Sequence, residues 1–134
     1  MQEVLVASDV AQRRLVLASA LRMHDYQVAD NVSRPATLVH LVNDPATGEA
    51  PVLLVDVDLG QPEWASAVRR FARARPKALI VLVTASRSKT TEKEAREAGV
   101  TRILLRPFSF PQLLDAIQPQ TAPKAEGADP GKTS

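Results

Sequence analysis

The stretch "PVLLVDVDLG", residues 51–60, decides the fold. Its first half is a continuous apolar run rather than an alternating one, the pattern of a short strand covered on both faces. Two carboxylates, Asp56 and Asp58, then flank a single valine. Unpaired acids within such a strand would carry a large desolvation cost, so they mark the point where the strand leaves the core.

Outward from this stretch, the same kind of run recurs at residues 4–7 ("VLVA"), 78–83 ("ALIVLV") and 102–105 ("RILL"), with a weaker strand at 26–30 ("YQVAD"). Helix-like segments lie between and after them, at residues 10–23, 35–43, 63–75, 89–98 and 111–117. The punctuation agrees with this division. Thr91 and Glu94 are spaced as a capping box, Gly99 stands where a helix C-cap belongs, and Ser109 with Pro111 opens the last helix. Strand followed by helix, five times over, predicts an α/β sandwich with a parallel central sheet and right-handed crossovers.

Length and composition bound the rest. The 134 residues fit one domain. No apolar run reaches bilayer length, and the opening "MQEVLVASDV" has an acid where a secretory signal has a basic region, so a cytoplasmic protein is expected. The absence of cysteine excludes disulfides, thiolate zinc sites and thiol nucleophiles. His24 and His40 have no ligand-like company and read as surface residues. Seventeen basic against 15 acidic residues are too balanced to announce nucleic acid. "RRFARARPK", residues 69–77, gathers five positive charges, but without an aromatic platform it reads as a solvated helix face. The final "PQTAPKAEGADPGKTS", residues 119–134, lacks apolar periodicity and is expected to be a disordered polar tail behind a domain spanning residues 1–118.

In an open parallel sheet, ligands bind beyond the carboxyl ends of the strands. Asp9 follows the first strand, Asp56 and Asp58 end the third, Thr84 ends the fourth and Arg106 follows the fifth. If the strand order is 2-1-3-4-5, the first and third strands are neighbours, about 4.8 Å apart. Asp9 and Asp56 then converge on one point and call for a cation, for which a hard divalent ion is suited. Carboxylate, cation, hydroxyl and basic side chain together make a phosphoryl-binding site, with the carboxylate as nucleophile. Either acid alone could simply begin a turn.

These residues resemble the receiver domain of two-component response regulators over residues 3 to about 118. "VLVASDVAQRRLVLASAL" resembles that family's first strand and helix, "VLLVDVDLG" its phosphoacceptor strand, "IVLVTAS" its strand ending in threonine, and "ILLRPF" its Lys-Pro-Phe turn. The resemblance implies a CheY-like, flavodoxin-like three-layer sandwich, with strand order 2-1-3-4-5 and five helices. It implies Asp56 as phosphoacceptor, and magnesium held by Asp9, Asp56 and the backbone carbonyl of Asp58. Thr84 becomes the switch hydroxyl and Arg106 the phosphoryl contact. The implied partners are a sensor histidine kinase or phosphotransfer protein and a downstream protein docking near residues 89–118, a surface that includes Ile103. Direct nucleic-acid binding, a membrane and enzymatic turnover are not expected.

Four departures from the family pattern point to a divergent receiver or pseudo-receiver. Ser8 replaces the first acid of the pair and weakens magnesium binding, Arg106 replaces lysine, Ile103 an aromatic, and Gly60 a common proline. Two roles are open to Asp58: its carboxylate turns into the pocket in place of the missing acid, or it pairs with Arg106. The alternative function is a small haloacid-dehalogenase-like phosphatase, which "LLVDVDLG" also resembles, although the acidic metal motif expected after Arg106 is missing. A Rossmann-type nucleotide site is weaker still, because no glycine-rich turn follows the first strand.

Overall fold

A computed structural model describes residues 3–48 and 51–118. The strands are β1 (Glu3–Ser8), β2 (Gln27–Val32), β3 (Val52–Asp56), β4 (Leu79–Thr84) and β5 (Arg102–Leu105). They alternate with α1 (Ala11–Arg22), α2 (Pro35–Val42), α3 (Pro62–Ala74), α4 (Lys89–Ala98) and α5 (Phe110–Ile117). All strand pairs are parallel, in the order β2-β1-β3-β4-β5. This is the flavodoxin-like arrangement expected from the sequence.

Successive residues of a strand point to opposite faces, and the core divides accordingly. Val4, Val6, Val52, Leu54, Val81 and Val83 face one way and pack with Leu17 and Leu21 of α1 and Leu113 and Ile117 of α5. Leu5, Ala7, Leu53, Val55, Ile80 and Leu82 face the other way, toward α2, α3 and α4, where Trp64 and Phe71 are the largest fillers. The continuous runs are therefore apolar because both faces are covered. Asp56 is the last residue of β3 and pairs in register with Ser8, the last of β1.

The helix ends follow capping chemistry, with one correction. Ser88, not Thr91, is the N-cap of α4: its side chain accepts from the Thr91 amide at 3.1 Å, which places Thr91 inside the helix. The spacing Thr91–Glu94 imitated a capping box one turn too late. Gly99 closes α4 at φ 88°, as expected. At α5, Ser109 and Gln112 form a reciprocal capping box and Pro111 lies in the first turn. The polar tail expected at residues 119–134 lies outside the described residues.

Candidate functional site

The carboxyl edge of the sheet opens into a cleft of about 390 Å³. Asp9, Arg13, Asp56, Asp58, Thr84 and Arg106 all line it. Convergence of residues so far apart in the chain follows from topology: parallel strands deliver all their carboxyl ends to one side, and the order places β1, β3, β4 and β5 side by side.

Asp56 is 3% exposed. Its Oδ1 accepts a hydrogen bond from Nη1 of Arg106. A second guanidinium, that of Arg13 in the first turn of α1, forms an ion pair with the same oxygen at 3.6 Å. The Arg106 side chain is 30% exposed and that of Arg13 43%, so both cations retain solvent contact while the buried acid gains two counter-charges. The backbone fixes Arg106, whose amide donates to the Thr84 carbonyl at 2.8 Å. The Arg106–Pro107 peptide is cis. The Thr84 hydroxyl is engaged locally, accepting from the Ser86 amide at 3.3 Å and donating to the Ser86 carbonyl at 3.2 Å.

The other acids are placed differently. Asp9 and Asp58 are exposed. Of the two roles left open for Asp58, pairing with Arg106 is not seen, while the residue does line the cleft. Its Oδ1 accepts from the Gly60 amide at 2.8 Å, an Asx turn, while Arg106 goes to Asp56. The Asp58–Arg106 alternative is therefore the one the geometry rules out. A proline at position 60 would have no N–H to offer, so the absence of proline there leaves the backbone donor that holds the Asp58 side chain. The Asp58 carbonyl accepts from the Gln61 amide at 3.1 Å. Ser8, fully buried, accepts from the Val10 amide at 3.1 Å and closes the turn into α1.

Magnesium is the cofactor implied by the resemblance, and the donor set fits it poorly. A hard divalent ion takes about six oxygen ligands. Among the described residues no three acidic, histidine or cysteine side chains are grouped to hold a metal. Three carboxylates against two guanidiniums leave the cleft lining with only one net negative charge, and the most buried acid already faces both cations.

Ile103 is half-buried, packs against the α2–α3–α4 core layer, and lines two shallow surface depressions beside α4 and α5. His24 and His40 are both exposed, and the His24 ring lies 4.4 Å from that of Phe110. Arg13 escaped the sequence reading. Its signal was its position four residues after Asp9, one helical turn into the segment that follows the first strand, but the adjacent Arg14 makes the pair look like surface charge. Among the described residues, no helix is long and apolar enough to cross a membrane.

A profile of the response regulator receiver domain matches residues 4–118. The transcriptional regulatory protein PdtaR of Mycobacterium tuberculosis is 28% identical over 117 residues, covering 87% of this chain and 55% of PdtaR, so the chain spans about half the length of that relative. Among solved structures, a candidate pilus assembly protein (CpaE) from Burkholderia thailandensis E264 is 30% identical with TM-score 0.73, covering 87% of this chain and 94% of the other. The receiver domain of sensor histidine kinase PA1611 from Pseudomonas aeruginosa PAO1, which holds magnesium in its active site cleft, shares the fold at 22% identity and TM-score 0.70, covering 87% and 94%. With the matched profile spanning both core layers and the acidic cleft, the chain belongs to the response regulator receiver domain family.

Proposed function

We propose that this domain, residues 1–118, is an atypical receiver that works as a protein-interaction switch, with Asp56 as its phosphoacceptor. The observation that carries the reading is the gathering of Asp56, Thr84 and Arg106 in one cleft at the carboxyl edge of the sheet. Domains of this family are generally signalling modules that meet histidine kinases and downstream effectors. In the transfer step a carboxylate oxygen of Asp56 attacks the donor's phosphorus, a new O–P bond forms, and the donor's bond to phosphorus breaks, its electron pair leaving with the donor. On this reading Arg106 releases Asp56 and binds the transferred group, and the Thr84 hydroxyl gives up Ser86 for a phosphoryl oxygen. The surface that reads the change is that around Ile103, between α4 and α5. A cytoplasmic location suits this role.

The test is incubation with a small acyl-phosphate donor, with and without magnesium, followed by intact mass and amide NMR. A phosphoryl adduct on the parent chain that is absent from Asp56→Asn supports the reading. No adduct and no shift leaves a receiver that signals without phosphorylation, a second reading favoured by the two arginines already held against Asp56. The haloacid-dehalogenase-like alternative has no support from the family match.

A further inference from the structure

We infer that Arg13 and Arg106 together stand in for the divalent cation at Asp56, so that the resting domain is complete in counter-charge without metal. The inference rests on reading this cleft as the functional centre, but it concerns the identity of the counter-ion rather than phosphorylation. Three observations lead to it. Both guanidiniums address the same oxygen of an acid that is almost wholly buried. They reach it from opposite directions in the chain, Arg13 from the first turn of α1 and Arg106 from the turn after β5. Two side chains that could join a metal shell are engaged locally: Ser8 accepts from the Val10 amide, and Oδ1 of Asp58 accepts from the Gly60 amide.

Charge and reach decide which counter-ion Asp56 takes. A divalent ion entering the cleft would lie near two fixed positive charges, and its attraction to Asp56 would be offset by repulsion from both. At a separation of about 6 Å and water-like screening, repulsion between one guanidinium and a divalent ion lowers affinity about ten-fold, and more where solvent is excluded. Arg106 cannot be removed from this balance without stripping Asp56 of its nearest donor. Arg13 can, because it makes the longer contact and is the more exposed. Arg13 is thus a positioning residue: it holds the carboxylate and keeps the metal out. It also ties α1 to the site, so that switching requires Arg13 to move rather than an ion to bind.

The test is a magnesium titration of the full 134-residue chain, read by amide shifts at Asp9 and residues 56–60 and by the melting temperature in magnesium against EDTA. The parent is expected to show no saturable shift and no change in melting temperature. Arg13→Gln should bind magnesium at least about ten-fold more tightly than the parent, and adding Ser8→Asp should tighten binding further. Arg13→Lys, which keeps the charge, should behave as the parent does, and it remains a valid comparison if the glutamine variant folds poorly. Saturable magnesium binding by the parent as tight as that of Arg13→Gln overturns the inference, as does equal affinity in the glutamine and lysine variants. Failure of the phosphoryl adduct to form touches none of these readouts.

Discussion

At Asp56, burial decides which partner matters more. The carboxylate is nearly inaccessible, whereas Arg106 and Arg13 can turn toward water. Removing a cation therefore leaves the costlier orphan. Arg106→Ala is expected to lower stability by about 2 kcal/mol in urea denaturation. That is below the cost of breaking a fully buried pair, because Arg106 is partly solvated and Arg13 stays beside the acid. The double variant Asp56→Asn/Arg106→Ala should recover about 1 kcal/mol of that loss, since no buried charge remains to be orphaned. A double variant as unstable as Arg106→Ala would mean that the arginine acts by packing alone.

At the scale of the element, α4 and α5 show how local chemistry places the surface near the site. Ser88 caps α4 by accepting from the Thr91 amide while donating to the Thr91 hydroxyl, and Ser88→Ala should cost about 1 kcal/mol. The other end is more demanding. Gly99 has φ 88°, and a Cβ there would meet the Cβ of Ala72 at 2.6 Å. Gly99→Ala combines left-handed strain with a helix–helix clash, so a loss of at least about 1 kcal/mol is expected in thermal denaturation. In β5, one Nη1 of Arg102 donates to the carbonyls of Asp115, Ala116 and Gln118, satisfying the free end of α5. Burial lowers the Arg102 guanidinium from its ordinary pKa by desolvation, while those carbonyls fix the position of the side chain. Arg102→Met should leave the sheet intact while amide exchange in the last turn of α5 rises about ten-fold, the loss of about one net charged hydrogen bond.

For the whole molecule, stability resides in two apolar layers on either side of one sheet, both within residues 4–117. Phe71 is fully buried in the larger layer, and Phe71→Ala is expected to cost about 3–5 kcal/mol. A chain ending at Gln118 should unfold cooperatively with an unchanged midpoint, because it keeps every core residue found among the described residues. A lowered midpoint would show that the polar segment packs on the domain. The same two-layer construction explains the cleft. Helices cover both faces of the sheet, so the carboxyl edge is where strand ends, loops and helix starts can present polar groups together.

Much of this was legible in the amino-acid sequence. Doubly covered strands read as unbroken apolar runs, Gly99 and Ser109 marked helix ends by conformational and capping chemistry, and acids at strand ends announced an edge rather than a core. These features depend on neighbours along the chain, which is why pattern and spacing carry them. What only the tertiary structure decided was which charges meet. Thr91 yielded the cap to Ser88 by a one-turn difference in where the helix begins. Asp58 went to the Gly60 amide two residues away instead of to Arg106. Arg13, indistinguishable in sequence from a surface arginine, was brought by α1 against Asp56. Ion pairing falls off with distance through space, not along the chain, and a guanidinium on a long flexible stem can reach several acids. Only the packing of α1 and the β5–α5 turn over the end of β3 selects among them.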